Sequence, residues 1–360
     1  EFIRAGYKVA VTKQNDVWCI HDCGLVNVRN GYEEYRRVFL QEYSREIFPL
    51  VSILIPAYNQ TKYLKEAIES AINQTYLNIE IIIGDDSTND DVHEFLIPYL
   101  DNYKNLTYFK NERKAMDYGA SNGENLFKRS SGEYVNYLFH DDIFHATKIE
   151  KMMNYYLNNK GITLVTSHRQ LIDEDRNQMP DNGATQRIFE KDTLVNGKQL
   201  SLICLDNLTN FIGEPTTVLF KKSLLADGFG RFNHNFYLNI GDVATWLSLL
   251  KQGDAVYISE SLSYVRQHNS QNSRKPEVYI TGIIEWKKII DDGYNLGIIN
   301  SRSEYRRLIS QWFSSLNGIL TNNINSNLSV DLRDGLKKAF KDSIDVMLDG
   351  ALPVVTLMKG

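Results

Sequence analysis

The hydrophobic pattern changes period twice between Val51 and Ile83. Val51 to Ile55 is a short, mostly apolar run with β-branched residues, closed by Pro56, and it reads as a buried strand. From Tyr63 the apolar positions Leu64, Ala67, Ile68, Ala71 and Ile72 recur three and four apart, with Lys65, Glu66 and Glu69 on the other face. That spacing predicts an amphipathic helix of about three turns. Ile79 to Ile83 is a second, nearly continuous apolar run, and it stops at Gly84-Asp85-Asp86-Ser87. Strand, helix and strand make a βαβ unit, whose crossover should be right-handed and whose strands should be parallel.

The pattern continues with a helix over Val92 to Tyr103 and a third strand over Leu106 to Phe109. Residues 111–125 are polar and read as a loop able to lie over a ligand. A short helix follows, and Tyr134 to Phe139 is a fourth strand ending in His140-Asp141-Asp142. Further on, Leu164 to Ser167 and Thr217 to Phe220 read as strands and Lys198 to Leu208 as a helix. Val278 to Asp291, Ser303 to Leu320 and Val330 to Leu348 have helical periodicity with mixed charge. Ahead of all this, Tyr7 to Val11 and Val17 to Ile20 read as short strands and Gly31 to Ile47 as a helix, too little for a core of its own. The chain is therefore expected to divide into an extension or the tail of a preceding domain (1–48), an α/β domain (49–270) and a helical C-terminal region (271–360). Within the α/β domain, 49–142 reads as the ligand-binding half and 143–270 as a second half. The C-terminal helices are expected to pack on the domain, with self-association or a membrane surface as the alternatives.

Composition narrows the classes. With 360 residues, 42% of them hydrophobic, the chain can bury a sizeable core. The formal charge of 40 minus 45, or -5, gives no reason to expect a nucleic-acid partner. No apolar run approaches the roughly 20 residues that span a bilayer. A soluble, cytoplasmic chain is expected, with peripheral placement at the inner face of a membrane as its variant. The opening Glu-Phe, without a Met, reads as a piece of a longer protein with a flanking domain upstream. Three cysteines are too few for a disulfide framework, and Cys19-Ile-His-Asp-Cys23 finds no neighbour to complete a four-ligand zinc site.

In open α/β sheets ligands sit beyond the carboxyl ends of the strands, which here offer Ala57-Tyr58-Asn59 and Asp85-Asp86-Ser87. A tyrosine ring can stack on a base while a carboxylate accepts hydrogen bonds from base N–H or ribose hydroxyls. Neither a G-x-G-x-x-G fingerprint nor a Walker A loop follows the first strand. Phosphate must be held otherwise. The second acidic pair, Asp141-Asp142, cannot face a diphosphate bare, because like charges about 4 Å apart repel by several kcal/mol at intermediate dielectric. A divalent cation reverses that sign, and Mg2+ and Mn2+ both take carboxylate and phosphate oxygens.

Taken together, Val51-Ser-Ile-Leu-Ile-Pro-Ala-Tyr-Asn59, Ala71-Ile-Asn-Gln-Thr-Tyr76, Ile81-Ile-Ile-Gly-Asp-Asp-Ser-Thr88 and Gly132-Glu-Tyr-Val-Asn-Tyr-Leu-Phe-His-Asp-Asp142 carry a resemblance. With Pro215-Thr-Thr-Val-Leu-Phe-Lys221, Asp242-Val-Ala-Thr-Trp246 and Tyr264-Val-Arg-Gln-His268, the chain resembles the inverting, nucleotide-sugar-dependent glycosyltransferases of family 2, over roughly 49–270. The resemblance implies a GT-A fold, a nucleoside-diphosphate donor, usually a UDP-sugar, and a divalent metal, Mn2+ or Mg2+. The acceptor would be a carbohydrate, glycolipid or glycopeptide in bacterial glycan synthesis. It implies that Ala57, Tyr58 and Asp86 hold the nucleoside, with Pro56, Asn59, Asp85, His140 and Asn125 also on the donor side. Asp141 and Asp142 match the acidic motif for ribose and metal, His268 a position near metal and diphosphate, and Asp242 the general base. Glu214 and Trp246 are expected acceptor contacts. The sequence departs from the pattern at Phe139, where relatives often place a first acid, and at Gly241, where a Glu often precedes the base. Two alternatives stand beside this reading: a sugar nucleotidyltransferase, whose Gly-rich basic loop is missing after the first strand, and a non-catalytic sugar- or nucleotide-binding module.

Overall fold

The computed structural model describes residues 48–112, 119–268, 275–322 and 328–348, together with two short antiparallel strands, β1 (Ala10–Val11) and β2 (Val17–Trp18). The helix expected over 31–47 and the Cys19 to Cys23 segment lie outside these residues.

The first half follows the predicted alternation. It runs β3 (Val51–Ala57), α1 (Lys62–Ile72), β4 (Ile79–Asp85), α2 (Asp91–Asn102), β5 (Leu106–Lys110), α3 (Ala120–Arg129) and β6 (Tyr134–Tyr137). Strand β3 pairs in parallel with both β4 and β6, and β5 lies outside β4. Val51, Ile53 and Ile55 pack with Leu64 and Ala67 of α1 on one face, whereas Leu54 and Ile82 join Leu126 and Phe127 of α3 on the other. Burial on both faces is why these strands read as continuous apolar runs rather than alternating ones.

Two boundaries differ from the sequence reading. Strand β3 continues past Pro56 to Ala57. Leu54 accepts its bond from Leu138 on the β6 side, and Pro56, two residues on, turns its missing N–H to that same side, where pairing with β6 has ended. The proline thus marks where β3 and β6 part, the switch point at which such sheets bind ligands. The loop expected through residue 125 gives way to α3 from Ala120, after Gly119 in the left-handed region (φ 89°). Asn125 is accordingly a helical residue.

Beyond β6 come β7 (Ile143–Phe144), α4 (Lys148–Asn158), β8 (Ile162–Ile172), β9 (Thr193–Val195), α5 (Gly197–Asn207), β10 (Leu219–Lys221), the hairpin β11 (Arg231–Phe232) and β12 (Asn235–Phe236), α6 (Gly241–Leu250) and β13 (Asp254–Arg266). Among the described residues the main sheet has nine strands in the order β5-β4-β3-β6-β10-β8-β13-β7, with β9 also paired to β13. Since β10 is antiparallel to both β6 and β8, those two run the same way, and β13 is parallel to β8. The ends of β3, β4, β6, β8 and β13 therefore open on one edge.

Three helices follow: α7 (Pro276–Asn295), α8 (Arg302–Asn322) and α9 (Val330–Leu348). Ile280, Ile283, Trp286, Trp312 and Leu336 share a core with Val243, Ala244 and Leu247 of α6 and with Phe232 of the hairpin. The helices thus pack on α6. Among the described residues no helix is long and apolar enough to cross a membrane.

Candidate active site

The loops after β3 and β4 are bolted together. Asn59 sits at positive φ (47°), its N–H donates to Ser87 Oγ (2.7 Å), and its Oδ1 accepts from the Thr88 N–H (2.9 Å). Asp86 N–H donates to the Ala57 carbonyl (3.0 Å), and the Asp86 side chain is almost fully buried. Tyr58 stays 38% exposed, so a flat ring is presented at the strand end, with Pro56 partly buried beside it. Asp85 lies fully buried and accepts from Ser87 N–H (2.8 Å) and Tyr108 hydroxyl (2.9 Å), with Lys110 Nζ at 3.3 Å. Its expected donor contact gives way to a bracing role, because three groups of the protein already occupy its carboxylate.

Asn125 belongs to a chain of amides: it donates to Asn111 Oδ1 (2.9 Å), Asn111 donates to Asn122 Oδ1 (2.8 Å), and Asn122 donates to the Gly84 carbonyl (2.7 Å). A Cβ on Gly84 would lie 2.2 Å from Asn122 Oδ1, so the glycine is what admits Asn122. Asn122 was not singled out in the sequence, where only its place among other amides set it apart.

The two acids after β6 diverge. Asp141 Oδ2 lies 2.9 Å from His268 Nε2. Burial opposes charging Asp141, but the His268 bond and the charge on His140 hold its carboxyl below the usual range. They meet because the chain after Asp142 turns back as β7, which pairs antiparallel with β13 at Tyr264 and Ser263, just ahead of His268. Asp142 points inward, accepting from the Thr216 hydroxyl (2.5 Å) and the Arg266 N–H (3.0 Å). Burial, with the Asp141 charge adding to it, pushes the Asp142 carboxyl well above the carboxylate range. The expectation that Asp142 ligates a metal is thereby corrected: both of its oxygens lock the turn to β13 and the Pro215–Thr217 segment.

Arg266 had no assigned role in the sequence reading. It is fully buried and donates to the carbonyls of Asp141 (2.9 Å), Asp173 (3.2 Å) and Glu174 (3.0 Å) and to Glu66 Oε2 (2.6 Å), while stacking 4.4 Å from the Tyr63 ring. Only adjacency to His268 hinted at it.

Across the site, Asp242 lies in the first turn of α6. Its Oδ1 accepts from Val243 N–H and its Oδ2 from Asn210 Nδ2, both at 2.8 Å. Burial pushes its carboxyl up to about 7, with the charge of Glu214 adding and the Val243 and Asn210 bonds and Arg169 opposing. Glu214 Oε2 lies 2.5 Å from Arg169 Nε, a charge pair whose N–H is not aligned as a hydrogen bond. The Glu214 charge acts on both Asp142 and Asp242, which puts the strand-end turn and the α6 acid in one electrostatic neighbourhood. Trp246 is corrected outright. It is fully buried, with its indole N–H on the Gly213 carbonyl (2.9 Å) and its ring edge-on to Phe220 and Phe229, so it supports the Asn210–Gly213 loop from within the core.

Among the described residues no group of three or more His, Cys, Asp or Glu is arranged to hold a metal. Asp141 and His268 are a carboxylate and an imidazole, donor types that would suit a divalent cation taking its other ligands elsewhere. At 2.9 Å the two are hydrogen-bonded to each other, and that contact would open for both to ligate one ion.

The profile of Glycosyl transferase family 2 matches residues 52–229, and that of a Glycosyltransferase like family matches residues 1–43. An uncharacterized glycosyltransferase of Rickettsia typhi is 32% identical over 235 residues, covering 62% of this chain and 66% of the relative. A GalNAc(5)-diNAcBac-PP-undecaprenol β-1,3-glucosyltransferase of Campylobacter jejuni is 25% identical over 270 residues, covering 74% and 81%. The matched region spans 66% of the Rickettsia typhi relative and 36% of one from Rickettsia felis, so these relatives extend well beyond it. Among solved structures, S. aureus TarS 1–349 in complex with UDP-GlcNAc aligns with a TM-score of 0.58 at 16% identity, over 82% of this chain and 81% of that one. That likeness bears on the fold, and the mixed sheet with its strand-end loops is of the same GT-A kind. Through residues 52–229 this chain belongs to glycosyltransferase family 2.

Proposed function

We propose that the protein is an inverting glycosyltransferase that moves a hexose or N-acetylhexosamine from a nucleoside diphosphate to a hydroxyl of a glycan acceptor. UDP-GlcNAc is the donor to try first, because the TarS complex carries it, and the name of the Campylobacter relative favours a lipid-linked glycan as acceptor. A lipid-linked acceptor would put the reaction at a membrane's inner face. The observation that carries the reading is Asp242, a partly buried carboxyl in the first turn of α6, fixed by the Val243 N–H and Asn210 Nδ2, with its pKa pushed up to about 7.

In this reading Tyr58 stacks on the base and the strand-end loop carrying Asp86 binds the nucleoside. Asp141 and His268 would hold a divalent cation, Mn2+ or Mg2+, which when bound would neutralise charge gathering on the departing diphosphate. Asp242 takes the proton from the acceptor hydroxyl as its oxygen bonds to the anomeric carbon from the side opposite the leaving group. The configuration inverts. A base is most effective with its pKa near the working pH, and the burial of Asp242 meets that condition. The test is release of UDP from UDP-GlcNAc, and of nucleoside diphosphate from a panel of UDP-, GDP- and dTDP-sugars, with Mn2+, with Mg2+ and with chelator. NMR of the product reads its anomeric configuration. No release from any donor above the Asp242→Asn background, or a retained configuration, would overturn the proposal.

A further inference from the structure

Two carboxylates of α7, Glu285 and Asp292, stand seven residues apart, which is two helical turns and hence one face. Both point at the segment that leads into α6. Asp292, buried, accepts from Asn233 Nδ2 (3.0 Å), Asn235 Nδ2 (2.8 Å) and the Tyr237 hydroxyl (2.6 Å), pinning the β11–β12 hairpin. Glu285 accepts the three consecutive backbone N–H groups that follow, those of Leu238 (2.7 Å), Asn239 (2.8 Å) and Ile240 (3.0 Å). Ile240 is the cap residue of α6, and Asp242 is two residues further on.

The backbone N–H groups at a helix start have no partner within the helix, and a segment whose amides are unheld has nothing to fix its direction. The immediate neighbour of Asp242 cannot supply a carboxylate. A Cβ on Gly241 would sit 3.3 Å from Gly230 Cα, which leaves little room for a side chain at that position. The negative group reaches this turn from another element, 45 residues along the chain.

We propose that Glu285 is a positioning residue for Asp242: by gathering the Leu238–Ile240 amides it sets the direction in which α6 presents its first-turn carboxylate to the acceptor, making the C-terminal helices part of the catalytic scaffold. The proposal rests on the reading of Asp242 as the base. It separates the two α7 carboxylates, because Asp292 anchors the hairpin upstream whereas Glu285 holds the residues adjoining α6.

The experiment compares Glu285→Gln, Asp292→Asn and Asp242→Asn in the full chain, following UDP release from UDP-GlcNAc with Mn2+ across pH. A glutamine keeps one acceptor oxygen and turns an amide toward amides, so the Leu238–Ile240 segment loosens. Glu285→Gln should lower kcat tenfold or more with KM for UDP-GlcNAc within twofold. The acid limb of its kcat profile should move below that of the wild type as Asp242 becomes better solvated. The charged groups acting on Asp242 are Arg169 of β8 and Glu214 ahead of β10, the nearby Cys204 thiol of α5 being pushed up by burial and neutral, and none of them changes in this variant. Asp292→Asn should lower Tm yet leave kcat and the limb within twofold of wild type. Unchanged kcat in Glu285→Gln, or a loss shared equally by the two α7 variants, overturns the proposal even if Asp242→Asn is inactive. Wild-type turnover in Asp242→Asn overturns the base assignment first, which keeps the two failures distinct. Should Glu285→Gln not fold, Glu285→Asp, which keeps the charge but withdraws it by one methylene, is judged by the same readouts.

Discussion

The two sides of the site are built on different plans. Around the nucleoside loops the contacts come from short stretches at the ends of β3 and β4, and hydrogen bonds such as Asn59 to Ser87 tie one strand-end loop to the next. On the base side Asp242 is fixed by Asn210, faced by the Arg169 and Glu214 pair, and approached through a segment held from α7. Strand ends of a parallel sheet are aligned by the sheet itself, so short local loops suffice. A helix start outside the sheet has no such alignment and must be held by distant side chains. The loops after β3 and β4 should therefore tolerate change remote from them, and the base side should not.

The strongest test of that contrast is Asp242→Asn. Losing a positioned base should lower kcat by about a hundred- to ten-thousand-fold, while the donor side, built separately, keeps KM for UDP-GlcNAc within about twofold. Steady-state UDP release measures both. In the wild type the rate should rise with pH through about 7 as Asp242 ionises. Stability should move the opposite way. The folded state holds this proton more tightly than the unfolded chain, so the contribution is full below about 4, declines as pH rises and is lost above about 7. Asp242→Asn should accordingly show a Tm less dependent on pH over that window, by scanning calorimetry.

Next in size is the metal pair. His268→Ala removes one of the two residues proposed to hold the cation and should raise the Mn2+ concentration needed for half-maximal activity by at least about tenfold, the scale seen when even a ligand's partners are lost. Titration of activity with Mn2+ reads it, and kcat at saturating metal should fall far less. A variant that loses kcat and metal response together would mean that the donor and base sides are not separable.

The same contrast decides what could be read from the sequence. Hydrophobic runs on both faces gave away β3 and β4, and the acids that punctuate them were visible because a strand end and its loop are contiguous. Asp85 and Asp142 were found by type but not by role, since whether a carboxylate faces the cleft or is consumed by Tyr108, Thr216 and the Arg266 amide depends on residues up to 124 positions away. Strand β13, with Ser and Glu in its middle and register shifts against β8, lacks a clean two-residue period, so no strand was expected there and only its last residues drew notice, through the resemblance. Trp246 looked like an acceptor contact because its helix begins at the base, yet its face of α6 is turned into the core. Glu285 carried no local signal at all.

Arg266→Met tests the seam between the two halves. Four donated bonds converge on carbonyls and on Glu66 from a fully buried guanidinium, and breaking a buried charged contact typically costs about 3–5 kcal/mol. Because Glu66 keeps part of its side chain in solvent and lies 3.7 Å from Arg176, the low end is expected. Urea unfolding would measure it. The main chain of Asp141 loses its tether in the same change, so KM for the donor should rise more than kcat falls.

The smallest effect belongs to Glu214→Gln. Glu214 keeps about a third of its side chain exposed, so its charge is partly screened and its pull on Asp242 is secondary to burial. Removing that charge leaves the neutral shape and frees Arg169 to act on Asp242 alone. Both changes favour the ionised base. The acid limb of the kcat profile should shift to lower pH by a fraction of a unit, with turnover above pH 8 changed no more than a few-fold if Glu214 acts only through its field. A large loss of kcat at every pH, with the limb unmoved, would instead make Glu214 a direct acceptor contact, and the base side would then include a residue that touches substrate on the strand-end edge of the sheet.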